Sequence, residues 1–172
     1  MSATVYIGLG SNLAEPIQHV LQAIEDIKEL RQSTVDAISS LYQTLPMGPQ
    51  DQADYINAVV KISTTLKPLA LLACLQAIEN HHGRTRDTGH WGARTLDLDI
   101  LLYEGTNSND PVLTLPHPGI AQRDFVLYPL SEINPQLHIP PLGTVKKLIQ
   151  QLDQPCPTLI NAKNLDLRSS VW

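Results

Sequence analysis

Aromatic side chains and positive charges are both scarce in this chain. Aromatic residues make up 5% of the 172 residues, with one Phe and two Trp, and twelve Lys and Arg stand against seventeen Asp and Glu. The formal net charge is therefore −5. Because broad binding to nucleic acid or to an anionic membrane needs a basic surface, we expect neither partner. The few aromatics also argue against an RNA-binding face of stacked rings.

Cysteine and long apolar runs are rare as well. The two cysteines are Cys74 and Cys156, and the sequence has no Cys-x-x-Cys or His-Glu-x-x-His motif, so a zinc site is not expected. The longest strongly apolar run, residues 69–75, is far shorter than the roughly 20 residues that a membrane-spanning helix needs. No basic segment precedes an apolar run near Met1, which argues against a signal peptide. We therefore expect a cytoplasmic protein with reduced thiols.

The length and composition suit one compact domain. A domain usually takes about 100–200 residues, and 42% of these 172 residues are hydrophobic. A chain of this size buries enough surface to fold without disulfides or a structural metal. We predict a single domain that spans residues 1–172.

Hydrophobic periodicity predicts alternating strands and helices in the first part of the chain. Alternating and β-branched residues indicate strands, and apolar residues at spacings of three and four indicate helices. The predicted elements are strands at 4–9, 34–42, 55–65 and 96–103, and helices from Pro16 to Ile27 and from Pro68 to Gly83. This order is that of a ferredoxin-like βαββαβ fold of the α+β class.

The pattern is weaker after residue 104. Residues 104–111 are rich in Gly, Asn and Asp and are predicted to form a turn. A short strand is predicted at 112–115 and a short helix at 145–152. The remaining C-terminal residues show no pattern that indicates a function.

Arginine is concentrated in one predicted loop. Three of the six arginines, Arg84, Arg86 and Arg94, lie within eleven residues, and Arg123 follows later. The guanidinium group is always charged and matches phosphate oxygens with its fork of donors. The cluster therefore indicates an anion with several phosphates. A solvated loop that pairs with acidic residues such as Asp87 is the alternative.

Two aspartates follow this loop on a predicted strand. Asp97 and Asp99 are two residues apart, so both carboxylates leave the same face, about 6.6 Å apart along the chain. Such a pair resists desolvation unless a cation compensates, and Mg²⁺ prefers carboxylates combined with phosphate oxygens. The pattern favours a magnesium site. A salt-bridged pair with Arg94 or with a neighbouring lysine is the alternative.

A loop of arginines followed by Asp-x-Asp is typical of enzymes that transfer phosphoryl groups, because the arginines can bind phosphate oxygens and the aspartates can bind the metal. The P-loop motif is absent, and the segment Gly8-x-Gly10 lacks the third glycine of a dinucleotide fingerprint. From these residues, three classes remain open. They are an enzyme that transfers phosphoryl groups, another Mg-dependent enzyme such as a nucleotidyltransferase or phosphodiesterase, and a ferredoxin-like small-molecule binding module.

The few aromatic residues lie near these motifs. Tyr55 shares a predicted strand face with Asn57, Trp91 lies in the arginine loop, and Phe125 follows Arg123 by two residues. Two such rings can hold a flat heterocycle while an amide reads its polar edge. Ordinary core packing of Tyr55 and Phe125 is the alternative.

Three histidines lie near turns or helix ends. His117 lies between two prolines in an extended turn, where it either contacts substrate or serves the structure. His81 and His82, near the end of a predicted helix, are interpreted as capping or solvated residues.

These motifs together resemble one known family. The run Arg84-Thr85-Arg86, followed by Trp91-Gly92-Ala93-Arg94-Thr95-Leu96-Asp97-Leu98-Asp99-Ile100, resembles the signature of the 6-hydroxymethyl-7,8-dihydropterin pyrophosphokinase family. Four further matches occur in family order, at residues 8–13, 55–57, 115–118 and 123–127. Five ordered matches make coincidence a poor explanation.

The resemblance implies a ferredoxin-like α+β sandwich with an added C-terminal segment. It implies transfer of pyrophosphate from ATP to the hydroxymethyl oxygen of the pterin, with AMP as the other product, in folate biosynthesis. Two Mg²⁺ ions would assist, and ATP and 6-hydroxymethyl-7,8-dihydropterin would be the small-molecule partners. We expect the protein to be a monomer.

The resemblance also implies a set of site residues. Catalysis would involve Arg84, Arg94, Asp97 and Asp99, and both aspartates would bind metal. The pterin would contact Thr44, Leu45, Pro46, Tyr55, Asn57, Trp91, Asp97 and Phe125. ATP would contact Gln76, Glu79, Arg84, Arg86, Trp91, Arg94, Ile100, Thr114, His117 and Arg123.

Overall fold

The structure is a computed structural model that describes residues 2–12, 15–44, 54–83, 96–152 and 156–160. Its first half alternates strands and helices as the periodicity predicts. The elements are β1 (Ala3–Ser11), α1 (Pro16–Lys28), β2 (Ser33–Ile38), β3 (Tyr42–Thr44), β4 (Tyr55–Thr64), α2 (Pro68–His81) and β5 (Asp97–Tyr103). Both α1 and α2 begin with a proline, which is favoured in the first turn of a helix. Gly83 follows the end of α2 with φ +79°, a conformation that favours glycine after a helix.

The second half adds smaller elements. They are β6 (Ser108–Asp110), β7 (Leu113–Leu115), α3 (Asp124–Ile133), β8 (His138–Ile139), β9 (Gly143–Thr144), α4 (Val145–Leu152) and β10 (Thr158–Leu159). The predicted short helix at 145–152 is confirmed. No helix in the described ranges is long and apolar enough to cross a membrane.

The main sheet has the ferredoxin-like strand order. Its strands run β10-β3-β4-β1-β5, β2 also pairs with β4, and every pairing is antiparallel. β1 is therefore central, with β4 on one side and β5 on the other. The predicted α+β, ferredoxin-like fold is confirmed.

The edge strand predicted at 34–42 is interrupted. β2 and β3 pair with different halves of β4, and Ser39 lies in the gap between them. There the Val59 N–H donates to the Ser39 hydroxyl (2.8 Å), and the Ser39 N–H donates to the Val59 carbonyl (2.9 Å). A side-chain oxygen thus takes the place of a backbone carbonyl in the ladder. Strand propensity alone does not show this exchange, so a continuous strand was the wrong prediction.

The sheet separates two hydrophobic clusters. One face carries Val5, Ile7 and Leu9 of β1 and packs against α1 and α2. The other face carries Tyr6, Val59 and Leu101, which lie in one cluster with residues of α3 and α4. Side chains alternate between the faces because successive residues of a strand point in opposite directions.

One further sequence prediction is only partly confirmed, and one helix was not predicted. Residues 104–111 were predicted to form a turn, and turns do lie at 104–105 and at 111–112, where the Val112 N–H donates to Asp110 Oδ1. Residues 108–110 between them form β6 and pair with β7. Helix α3 had no clear periodic signal, because Pro129 lies inside it. Burial of Val126, Leu127 and Leu130 against the sheet favours the helix despite that proline.

Candidate active site

The α3–α4 layer covers one part of its sheet face and leaves the neighbouring part for polar residues. β4 presents Tyr55 and Asn57 on this face, and β5 presents Asp97 and Asp99, because their apolar neighbours 56, 58, 96, 98 and 100 lie in the opposite cluster. The pairing register places Gly10 of β1 opposite Asn57 on one side and opposite Asp97 on the other. The predicted shared faces are confirmed.

Because Gly10 has no side chain, it leaves space on the sheet face between the polar residues of β4 and those of β5. A Cβ atom at this position would lie 2.9 Å from Asn57 Oδ1 and 3.9 Å from Tyr55 Cδ1. Contacts under about 3 Å are not tolerated, so the carboxamide occupies space that any other residue at position 10 would fill. Gly8, opposite Asp99, is less restricted, because its Cβ would meet only the Leu101 side chain, at 3.3 Å.

The Asn57 carboxamide is held by β3. Its Nδ2 donates to the Thr44 hydroxyl at 2.7 Å, and both side chains are buried. The bond fixes which way the amide faces, with Oδ1 towards Gly10. A buried amide fixed in this way can read the polar edge of a flat ligand.

Glu79 of α2 supports the Asp-x-Asp segment from the other side of the sheet. Its carboxylate is buried, with 2% of the residue exposed, and Oε2 accepts the Leu98 N–H at 2.7 Å. Leu98 lies between Asp97 and Asp99, so this bond orders the backbone that carries both carboxylates. The two aspartates themselves are half-buried.

His117 lies near β5 in a loop after β7. Its backbone N–H donates to the Leu101 carbonyl (2.9 Å), and the Gly119 N–H donates to His117 Nδ1 (3.2 Å). Burial, and after it the nearby Arg123, lower the pKa of His117 to about 4, against a smaller opposing effect of Asp97. The imidazole is therefore neutral near pH 7 and, with Nδ1 accepting, carries its proton on Nε2.

Arg123 lies beside the same loop. A Cβ at Gly119 would be 2.7 Å from Arg123 Nε, so the guanidinium lies over a glycine backbone. The Arg123 Cζ atom is 5.7 Å from the centre of the Phe125 ring, a cation–π distance. Phe125 itself packs at the margin of the α3–α4 cluster. The sequence did not predict that Arg123 packs on the backbone of Gly119. The Pro118-Gly119 pair, which indicates a turn, is the feature of the sequence that points to it.

Several predicted residues are placed less directly. Gln76 is exposed on α2, and the Thr114 hydroxyl donates to the Asp110 carbonyl at 3.0 Å. The Ile100 side chain packs in the α1–α2 cluster, which leaves its backbone as the group for a ligand contact. The predictions that lie outside the described residues are those for Leu45, Pro46, Arg84, Arg86, Trp91 and Arg94.

The interpretation of His82 as a capping or solvated residue is confirmed for capping and wrong for solvation. Its side chain is only 5% exposed, and Nε2 lies 2.9 Å from Asp26 Oδ2. Its Nδ1 lies 2.7 Å from Nδ1 of His19. His82 therefore caps the C-terminus of α2 through its backbone N–H, as expected, but its side chain is buried and joins α2 to α1 instead of facing solvent. His81 is exposed as expected.

The fold and this face define a class of protein. It is an α+β protein with two carboxylates and a fixed amide on one sheet face beside Gly8 and Gly10, and with His117 close to both Asp97 and Arg123. Phosphoryl-type transferases combine metal ligands and phosphate donors in this way. The family model for 7,8-dihydro-6-hydroxymethylpterin-pyrophosphokinase (HPPK) matches residues 6–135. The chain belongs to this family.

Two curated relatives support the assignment. A 2-amino-4-hydroxy-6-hydroxymethyldihydropteridine pyrophosphokinase of Haemophilus influenzae is 47% identical over 148 residues, which are 86% of this chain and 92% of that protein. One of Pseudomonas aeruginosa is 46% identical over 140 residues, which are 81% of this chain and 86% of that protein.

A solved structure supports the fold. A crystal structure of Plasmodium falciparum HPPK-DHPS matches with a TM-score of 0.71 at 14% identity, over 88% of this chain. This chain spans 45% of that longer one.

Proposed function

We propose that this protein transfers the pyrophosphoryl group of ATP to 6-hydroxymethyl-7,8-dihydropterin, giving AMP and the pterin diphosphate in folate biosynthesis. Membership of the HPPK family supports the proposal. The structural observation that best supports it is the strand pairing of Gly10. Gly10 lies between Asn57, whose amide can hydrogen-bond the edge of a ring, and Asp97, whose carboxylate can bind metal. A ligand with a flat ring at one end and a reacting oxygen at the other fits this arrangement.

The pterin ring would lie between Tyr55 and Phe125, with Asn57 at its polar edge. Tyr55 and Asn57 share a strand face next to Gly10, and Phe125 is half-buried at the start of α3. Stacking and edge-to-face contacts of this kind favour a planar heterocycle. Further contacts to the pterin are proposed for Thr44, Leu45, Pro46, Trp91 and Asp97.

Asp97 and Asp99 fit a magnesium site. Both carboxylates leave β5 on one face, and the residues opposite them in β1 are glycines. Two carboxylates completed by phosphate oxygens are a usual donor set for Mg²⁺, and the described residues contain no larger His, Cys, Asp and Glu cluster that could hold a metal. We propose two ions at this pair, which when bound would neutralise charge on the phosphates.

The phosphates of ATP would meet donors on the loop after β7. Neutral His117 offers its Nε2–H, and Arg123 offers a charged fork held by Gly119 and Phe125. We propose that Arg84, Arg86 and Arg94 add further donors, with Arg84 and Arg94 acting on the transferred group. The remaining proposed ATP contacts are Gln76, Glu79, Trp91, Ile100 and Thr114.

The reaction needs the chain mainly for positioning. The hydroxymethyl oxygen of the pterin forms a bond to the β-phosphorus of ATP and releases its proton to solvent. The bond between the β-phosphorus and the α–β bridging oxygen breaks, and AMP leaves with that oxygen. Asn57 and the two rings fix the acceptor, and His117 with the arginines fixes the triphosphate. Orientation of the two reactants and stabilisation of phosphate charge account for the rate.

The domain extent, the oligomeric state and the cellular location of the protein are also proposals. We propose that one domain spans residues 1–172, that it works as a monomer, and that it acts in the cytoplasm. Sedimentation of the purified chain with both ligands tests the second, since a dimer would sediment as a species of twice the mass.

Product analysis tests the reaction. The protein is mixed with ATP, Mg²⁺ and the pterin, and nucleotides are separated with time. AMP formed in step with the pterin diphosphate, and lost with EDTA, is the expected result. ADP would indicate a simple kinase, free pyrophosphate a nucleotidyltransferase, and binding without turnover a binding module.

Asp97→Asn and Asp99→Asn are the variants for this assay. Each should melt cooperatively near the wild-type temperature and need more Mg²⁺ for half-maximal rate. Loss of the cooperative melt would instead assign the pair a structural role.

A further inference from the structure

The last described segment of the chain adds a strand to the main sheet. β10 pairs with β3, which carries Thr44 of the proposed pterin site. This strand lies beyond residues 6–135, the part that the family model matches.

Residues 156–160, here called the C-terminal segment, contact β3 through the backbone. Thr158 pairs with Gln43 and Leu159 with Tyr42, and the Ile160 N–H donates to the Leu41 carbonyl at 2.9 Å. Ile160 also packs against the α1–α2 cluster. Leu159 is 54% exposed and contributes little packing. The anchoring side chain is therefore Ile160.

The start of the C-terminal segment lies close to groups of α3 and β3. Asp124 and Glu132 both raise the pKa of the Cys156 thiol, in addition to its burial, which indicates their proximity. Glu132 in turn accepts the Tyr42 hydroxyl at 2.7 Å. β3 is thus held by the C-terminal segment along its outer edge and by α3 through Tyr42.

β3 is short and depends on such support. It has three residues and three paired positions with β4. Short strands at a sheet edge open at low free-energy cost because few hydrogen bonds and apolar contacts hold them. Without the C-terminal segment, β3 would be that edge strand. Its last residue, Thr44, is the one that holds the Asn57 amide.

We infer that the C-terminal segment is a positioning segment for the pterin site. By holding β3 against β4, it keeps the Thr44 hydroxyl on Asn57 Nδ2 and so keeps the amide oriented for the ring edge. The identification of the ligand as the pterin rests on the proposed function. The ATP side should be insensitive, because β5 is separated from β3 by β4 and β1.

Matched variants test this inference. A chain ending at residue 155 lacks the C-terminal segment, and a chain ending at residue 160 keeps it. Ile160→Ala removes the anchoring side chain, and Leu159→Ala is its control because Leu159 is exposed. Pterin affinity is measured from pterin fluorescence with a saturating Mg²⁺ complex of α,β-methylene-ATP, and affinity for that nucleotide is measured by calorimetry.

The expected result is specific to the pterin. The chain ending at 155 and Ile160→Ala should bind the pterin about tenfold more weakly, the effect of losing about one hydrogen bond. Nucleotide affinity should stay at the wild-type value, as should both affinities of the two controls. Unchanged pterin affinity in folded variants, or equal weakening of both ligands, would overturn the inference. If the shorter chain fails to fold, Ile160→Ala gives the answer.

Hydrogen exchange separates this inference from the proposed function. Amides of residues 42–44 should lose protection in Ile160→Ala and keep it in Leu159→Ala, with no ligand present. If the wild-type protein binds no pterin, the proposed function fails, and the exchange result still decides whether the C-terminal segment holds β3. Unchanged protection at 42–44 would reject it.

Discussion

At the scale of single residues, Gly10 shows how closely the site depends on one missing side chain. Its neighbours in the sheet are Asn57 and Asp97, and the Asn57 carboxamide occupies the position where a Cβ would be. The glycine is therefore required by the site rather than by the backbone of β1. A substitution here should affect ligand binding more than folding.

Gly10→Ala should weaken pterin binding. The new Cβ would be 2.9 Å from Asn57 Oδ1, so the amide must move and its bond to Thr44 is strained or lost. We expect the KM for the pterin to rise about tenfold, while the KM for ATP changes little. Gly8→Ala is the control, because its Cβ meets only the end of the Leu101 side chain. Equal effects of the two variants would contradict the role of Gly10.

Tyr42 should set part of the alkaline stability limit. Its pKa is raised above the ordinary value of 10.0, first by burial and then by its hydrogen bond to Glu132. The unfolded chain releases this proton near its ordinary pKa, whereas the folded chain keeps it. The stabilisation is complete below pH 10 and is lost as the pH rises further, so the free energy of unfolding should fall there.

Tyr42→Phe tests this dependence by urea unfolding at a series of alkaline pH values. The variant should be less stable at neutral pH, by about 1 kcal/mol for the lost hydrogen bond. Its stability should also decline less steeply above pH 10. A decline as steep as that of the wild-type protein would show that Tyr42 does not hold its proton in the folded state.

At the scale of elements, the interrupted edge strand and the start of β5 are both completed by side chains from elsewhere. Ser39 supplies an oxygen to the Val59 N–H where β2 ends, and Glu79 supplies one to the Leu98 N–H where β5 begins. Buried N–H groups need such acceptors, because water cannot reach them. Each acceptor can be removed separately.

Ser39→Ala should destabilise the fold by about 1–3 kcal/mol, the cost of leaving a buried N–H without its acceptor. Ser39 is 1% exposed, so water does not replace the hydroxyl readily. Urea unfolding measures the difference. Ser40→Ala, a partly exposed neighbour, should cost less, and a larger loss there would count against this account of the strand break.

Glu79→Leu should loosen the segment that carries the two aspartates. It removes the acceptor of the Leu98 N–H, and we expect a loss of about 1–3 kcal/mol in unfolding free energy together with a higher Mg²⁺ requirement for the reaction. Glu79→Gln keeps an oxygen acceptor and should restore most of both. If Gln and Leu behave alike, the carboxylate charge rather than the hydrogen bond is what matters.

At the scale of the whole molecule, the sequence predicts elements whose burial follows a regular period. α1 and α2 have such a pattern because each buries one face in the α1–α2 cluster, whereas β4 is recognised as a strand although its centre is buried on both faces. The break at Ser39 and the helix around Pro129 escape prediction, because partners distant in the sequence favour them over local propensity. Helix α3 in particular is stabilised by the sheet that it covers.

The candidate site divides in the same way. Alternation along β4 and β5 already places Tyr55 with Asn57 and Asp97 with Asp99. The bond from Asn57 to Thr44 and the seat of Arg123 over Gly119 depend on how separate segments meet. Sequence period therefore predicts which face a residue occupies, whereas the hydrogen-bond partner that fixes its orientation has to be observed.

The pairing of β1 with both of its neighbours has a consequence for how the protein tolerates insertions and deletions. Shifting β5 by one residue against β1 would turn Asp97 and Asp99 towards the α1–α2 core and Leu98 towards the ligand, because side chains alternate. The same pairing register thus determines which residues of β5 are buried in the core and which face the ligand. An insertion or deletion inside β1 or β5 that shifts this register should therefore lower stability and activity together, whereas a length change in a connection between strands leaves the register in place.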